Sequence, residues 1–366
     1  MRTDDGPKEI GDYLYTDRPQ LSLHIVSFTD ATLVSLTWPH TLWDAMGRRD
    51  FLMAWTAILA GRTDDIPAAY GPDEYPLKGF YDNPPEPYKL ESKRLSLPQL
   101  IIFGFRYWFE GFWYSEEKGR AVCLPAAFME SLRATATAEA RAAAGDSAQD
   151  VFLSDGDLIS AWCARIFAEH ARLGKNQTMC ILNALGWRSL LQPDVLSSSK
   201  AYIGNAASGA FAHIRAGDIV SRPLSYTASA VRSAIKEQAT RRQLEAFAHS
   251  LSESLKATGA PIMVGDATMQ LVVVSNWSKA KFFDMDFSPA IVGGSKPTKG
   301  SASPGKPVYI QACAFSKGSS VRNAFQISGK DADGNYWLSA TLRSEMWDSI
   351  ERALCGTATK LLPGNV

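Results

Sequence analysis

The chain reads as an α/β protein, with α+β as the neighbouring class, because helical and strand-like patterns alternate along its 366 residues. Two strand-like runs near the start are followed by a long amphipathic segment, and short β-rich runs are interleaved with helical periodicity through the second half. The hydrophobic content of 46% is ample for a buried core.

Taken in order, the runs LSLHIVSF and ATLVSLTW over residues 21–38 flank Thr29-Asp30, the pattern of a β-hairpin with a short polar turn. Pro39 ends the second strand. The following TLWDAMGRRDFLMAWTAILAG has helical periodicity and stops at Gly61, a C-terminal stop signal, so His40 falls where a strand hands over to a helix. Residues 62–97 contain six prolines and little apolar periodicity and read as a long connection.

In residues 98–114 the apolar positions Ile101, Ile102, Phe105, Trp108, Phe109, Phe112 and Trp113 have the spacing of one helical face, which predicts a helix buried along that face, with a lipophilic acceptor channel or a membrane-contacting face as the other reading. The stretch is shorter than the roughly 20 residues a bilayer requires and is interrupted by Arg106 and Glu110, so no membrane span is expected. A boundary is expected just after it, dividing the chain into 1–115 and 116–366. Pro125 opens an Ala-rich helix that ends near Gly145, and Ser154 with Asp155 caps another that runs to Arg172 and stops at Gly174. Strands are expected at 179–185, 270–275, 308–315, 324–328 and 336–342, with a long helical pattern over 226–256. No internal repeat recurs at a fixed period.

Lys plus Arg and Asp plus Glu both number 38, so no net field recruits nucleic acid, and a small molecule is the expected partner. The five cysteines, Cys123, Cys163, Cys180, Cys313 and Cys355, are odd in number, scattered and without a CxxC pair. They suggest neither a disulfide framework nor a zinc site, and a reducing, cytoplasmic setting is expected. The polar, acidic N-terminal run has no signal-peptide character. Gly300 to Pro307 approaches a phosphate-binding loop, yet Pro307 stands where a magnesium-binding hydroxyl residue belongs, so NTP hydrolysis is not supported. A dinucleotide-binding GxGxxG and a GxSxG nucleophile turn are both missing from the sequence.

The most informative stretch is His40-Thr41-Leu42-Trp43-Asp44. An imidazole can take a proton from an acceptor hydroxyl or amine while that atom attacks a carbonyl. Asp44, one turn on, would either orient the ring or hold the turn. The competing readings of the pair are a structural histidine and an i, i+4 metal site, and the latter lacks a third ligand nearby.

Around this motif, PQLSLHIVSFTDATLVSLTWPHTLWDAMG, LSDGDLISAWCARI, LNALGWRSLLQP, YIGNA (202–206), VSNW (274–277) and Asp286-Phe287 occur in an order and spacing that resembles the BAHD acyl-CoA-dependent acyltransferases, particularly the fungal trichothecene acetyltransferases. The resemblance implies a two-lobed, chloramphenicol acetyltransferase-like fold of mixed sheets flanked by helices. On it, 1–115 would be a shortened N-terminal lobe plus the crossover, and 116–366 the C-terminal lobe on the CoA side.

It also implies O- or N-acylation of a specialised metabolite by direct transfer from acyl-CoA, a co-substrate, with no tightly bound cofactor and no metal. His40 would be the general base and Ser275 the hydroxyl that meets the oxyanion. Trp277 would shape that pocket, with a strand end and a core tryptophan as the plainer reading of Ser275 and Trp277; Asp44 and Arg188 would form a structural ion pair, and Asp286 would be architectural. Lys296, Lys299 and Lys306 are candidates for the CoA phosphates, against a solvated basic loop as the plainer reading.

Three departures from the family pattern stand out. Ala45 replaces the usual glycine after the aspartate, Ser288-Pro289-Ala290 replaces the end of a D-F-G-W-G motif, and the histidine comes unusually early in the chain. They keep open a second reading, a non-acylating relative that binds a metabolite or catalyses another reaction between the lobes. Acyl group, acceptor and oligomeric state are not encoded in any motif.

Overall fold

The computed structural model describes residues 6–113, 117–145, 151–171, 173–292, 303–313 and 322–361. The first part of the chain forms α1 (Gly11–Leu14), β1 (Ser22–Ser27), β2 (Thr32–Thr37), α2 (Ala45–Leu59), β3 (Ala68–Ala69) and α3 (Leu97–Trp113). There follow β4 (Glu117–Leu124), α4 (Ala126–Ala144), α5 (Asp155–His170), β5 (Thr178–Gly186), α6 (Arg188–Leu191), β6 (Lys200–Ala201), β7 (Ala207–Arg215) and α7 (Ala216–Ser221). The last part forms α8 (Leu224–Gln238), α9 (Arg241–Thr258), β8 (Gln270–Asn276), β9 (Ala324–Lys330), β10 (Tyr336–Arg343) and α10 (Ser344–Leu361).

Six strands form one mixed sheet in the order β4-β10-β9-β8-β5-β7. The central pairs β9-β8 and β8-β5 are parallel, and the outer pairs are antiparallel. Parallel neighbours need coverage on both faces, and the sequence supplies it. On one face α5 lays Ile159, Cys163, Ile166 and Phe167 against Met179, Ile181, Val272, Val274, Phe325 and Ile327, all buried. Each fully buried large side chain contributes about 1.5–3 kcal/mol, so this layer is the main source of stability. The start of α5 is fixed by a capping box between Ser154 and Asp157. On the other face Cys180 and Phe211 meet Tyr88, Leu95, Ala246 and Val264, with Leu100 and Phe103 of α3 packed alongside.

The β1-β2 hairpin forms a separate two-stranded sheet with Leu23 opposite Leu36 and Ile25 opposite Val34. A lone hairpin is marginal in water. This one rests over α2, leaving an apolar groove of 340 Å³ beside Leu23, Leu36, Phe51 and Trp55. The opposite side of α2 is joined to the C-terminal half, where Met46 and Leu52 pack on Ala280, Phe282 and Met285. Trp55 meets Phe287 edge-on at 5.4 Å.

Several expectations need correction. The helix expected at 98–114 forms as α3, but no residue of it is buried, and Ile101, Ile102, Phe105, Trp108, Phe109, Phe112 and Trp113 face solvent. The side turned inward is instead the stripe of Leu100, Phe103, Tyr107 and Glu110, two apolar residues on the core and two polar ones. Arg322 donates from its N–H to the Tyr107 hydroxyl at 3.1 Å, and Arg343 reaches Glu110 at 3.3 Å. The helical pattern over 226–256 is two helices, because Thr240 caps a new one by accepting from the Gln243 N–H.

No strand forms over 308–313, and the rest of that expected strand, like Lys296 and Lys299, lies outside the described residues. Strands β4 and β7 escaped the sequence reading because the first opens with the charged residues Glu117, Lys118 and Arg120 and the second, ASGAFAHIR, is built mostly from small residues of low β propensity. Among the described residues no helix is long and apolar enough to cross a membrane, and no cluster of three His, Cys, Asp or Glu could hold a metal.

Candidate active site

The turn from β2 into α2 carries His40. The Leu42 N–H closes on the Pro39 carbonyl at 2.9 Å, and His40 itself is exposed. Its ring has no hydrogen-bond partner among the described residues. The frame is held through the backbone: Asn205 Nδ2 donates to the His40 carbonyl at 2.8 Å and to the Thr41 carbonyl at 3.3 Å.

Asp44 completes the frame. Oδ1 accepts from the Met46 and Gly47 N–H groups at 3.0 and 2.9 Å, capping α2. Oδ2 accepts from the Ala206 N–H and from Arg188 Nη1, both at 2.9 Å. Both oxygens are thereby occupied, so Asp44 holds the turn and does not orient the imidazole. Burial works to raise the Asp44 pKa, but the Arg188 hydrogen bond and charge and the backbone N–H groups outweigh it and hold the carboxyl below its usual range. Arg188 in turn donates to the Tyr202 and Gly204 carbonyls, which ties the loop at 202–206 to the same centre.

Close approach sets one residue type here. A Cβ at Gly47 would lie 1.9 Å from the Ile203 carbonyl oxygen, so glycine lets α2 meet this loop. Ala45, by contrast, is the first residue of α2 after the Asp44 cap, and an alanine fits a helical start without distortion.

Ser275 and Trp277 are together at the end of β8. Trp277 Nε1 donates to Ser275 Oγ at 2.8 Å. An indole nitrogen can donate and cannot accept, so the hydroxyl acts as acceptor and keeps its own hydrogen for another partner. Arg48 on α2 connects this corner to the histidine turn. Its guanidinium carbon lies 4.3 Å from the Trp277 ring centroid, 4.2 Å from that of Phe282 and 5.3 Å from that of Trp38, two residues before His40.

Asp286 lies apart on an exposed loop and accepts from the Ser288 N–H at 2.9 Å in its own turn. Lys306 is exposed on the neighbouring turn. Sequence reading missed Asn205 and Arg48 as individual residues. Asn205 sits inside the YIGNA run, and Arg48 one helical turn beyond Asp44, which were the available signals.

Residues 7–351 match the sequence profile of the Transferase family. The transcriptional regulator calD of Penicillium decumbens is 38% identical over 353 residues, covering 96% of this chain and 71% of calD. The acetyltransferase adrJ of Penicillium roqueforti is 35% identical over 364 residues, covering 97% of this chain and 72% of adrJ. O-acetyltransferase PaAT-2 of Phomopsis amygdali is 34% identical, covering 95% and 72%. Among solved structures, F. graminearum TRI101 complexed with coenzyme A and T-2 mycotoxin aligns with a TM-score of 0.67 at 15% identity, over 91% of this chain and 67% of that one. At that identity the likeness is one of fold.

Proposed function

Because the chain belongs to the Transferase family, the BAHD acyltransferases, and shares their chloramphenicol acetyltransferase-like fold, we propose that it moves an acyl group from acyl-CoA to a hydroxyl or amine of a specialised metabolite. The observation that carries this reading is an exposed His40 ring on a turn whose backbone and aspartate are already committed to the frame. Such an imidazole is free to accept a proton.

In the proposed reaction the acceptor heteroatom attacks the thioester carbonyl while His40 removes its proton. The Ser275 hydroxyl donates to the oxyanion of the tetrahedral intermediate. Collapse breaks the carbon–sulfur bond, and the departing thiolate takes the proton back from His40, leaving free CoA and the acylated product. No acyl-enzyme forms. The lobes divide at 115/116, and Lys296, Lys299 and Lys306 are the candidates for the CoA phosphates. The names of adrJ and PaAT-2 as acetyltransferases support an acetyl donor.

The test is incubation of the purified chain with acetyl-CoA and a fungal metabolite extract, following free thiol and the mass gain of an acetyl group. His40→Ala should lower turnover by about a hundredfold or more, with an unchanged melting temperature because the ring makes no contact that the fold uses. Retained turnover would sink the assignment. A non-acylating role remains the second reading, favoured by the name of calD as a transcriptional regulator. Metabolite binding without thiol release would support it.

A further inference from the structure

Among the described residues near the histidine turn, Arg48 is a buried charge without a counter-charge. Its side chain is 7% exposed, and Nε and Nη2 have no hydrogen-bond partner. No carboxylate pairs with it among the described residues. A buried cation without a carboxylate is costly unless something else stabilises it, and here aromatic faces do so. The guanidinium occupies the corner between Trp277 and Phe282, whose rings meet edge-on with centroids 6.1 Å apart. Burial pushes its pKa down to about 10, so the charge persists at neutral pH.

The neighbours make this arrangement directional. A positive charge against the face of an indole draws its π-electrons and makes the ring N–H a stronger donor. That N–H is engaged with Ser275 Oγ at 2.8 Å. A hydroxyl that accepts a stronger hydrogen bond becomes a better donor itself, because linked hydrogen bonds polarise one another where the dielectric is low. A charge exposed to water would be screened, and this one is not.

We propose that Arg48 is a positioning residue that acts through Trp277 on the Ser275 hydroxyl, fixing its orientation and strengthening its donation to the oxyanion. This rests on the role of Ser275 stated above. Arg48 also links the two parts of the reaction centre mechanically, since it contacts Trp38 before the histidine and Trp277 after the serine.

The experiment is a double-mutant cycle on the full chain with acetyl-CoA as donor, measuring kcat and KM for Arg48→Met, Ser275→Ala and the pair. Arg48→Met should lower kcat about tenfold with KM for acetyl-CoA changed less than about twofold, and should have little further effect once Ser275 is alanine. Arg48→Lys, which keeps the charge, should recover part of the lost kcat. Equal losses from Arg48→Met in both backgrounds, or a rise in KM alone, would overturn the proposal.

If Ser275→Ala leaves kcat unchanged, the oxyanion role of Ser275 fails, and the Arg48 proposal with it. If Ser275→Ala is impaired but Arg48→Met is not, the Arg48 proposal alone fails. Should Arg48→Met not fold, the cycle is run with Arg48→Gln and Trp277→Phe. A kcat loss from Arg48→Gln that vanishes in the phenylalanine background supports the relay, and a loss that persists, or no loss at all, refutes it.

Discussion

Asp44 and Arg188 were legible as a pair in the sequence because the motif that contains each has a fixed place in the family pattern, but the geometry adds why they matter. The carboxylate joins a helix start to a loop more than 150 residues away, through Arg188 and the Ala206 N–H. Asp44→Asn would keep the shape and lose the charge, leaving Arg188 partly buried without its ion. A cost of about 3 kcal/mol is expected, read as a lower urea midpoint at neutral pH. The pH dependence follows from the lowered Asp44 pKa. Its stabilisation is complete above the ordinary carboxylate range and is lost as pH falls through the folded-state value. The parent and the asparagine variant should therefore converge in stability on acidification. Arg48 was less legible, since nothing in a lone sequence marks an arginine that will be buried among aromatic rings from a distant strand end.

Helix α2 is the element that connects the histidine turn to the Ser275–Trp277 corner, the two parts of the proposed reaction centre. Its periodicity and its stop at Gly61 were plain in the sequence, but the helical reading began at Thr41, whereas the helix begins at Ala45 because Asp44 caps it. Its closest contact was not, because the approach of Gly47 to the Ile203 carbonyl joins segments far apart in the chain. Gly47→Ala decides between two effects of opposite sign. Inside a free helix the change gains about 1 kcal/mol. Here the added methyl meets a backbone oxygen that cannot swing aside, and overpacking of this kind costs about 1–3 kcal/mol. Net destabilisation is expected, with a reduced kcat as α2 withdraws from the loop, measurable by thermal melting and initial rates. The same contrast explains α3. Periodicity identifies which residues share a face, and it does not say whether that face is turned inward. Arg322 and Arg343 engage Tyr107 and Glu110 on the stripe that also carries Leu100 and Phe103, and neither arginine could be foreseen from residues 98–114.

For the molecule as a whole, the core strands β5, β8, β9 and β10 were readable because buried parallel and central strands are dense in branched and aromatic residues. The outer strands of that sheet, β4 and β7, were not. The proposed acyl-CoA co-substrate predicts a ligand response: coenzyme A at about a hundred times its Kd should stabilise the fold by about 2.7 kcal/mol, seen as a higher melting temperature. The absence of any shift at saturating concentration would count against a CoA site. One further consequence follows from the grip of Asn205 on the carbonyls of His40 and Thr41. Position 40 is a socket whose shape is indifferent to the side chain plugged into it, so the proposed base can be exchanged there without rebuilding the mount that carries it.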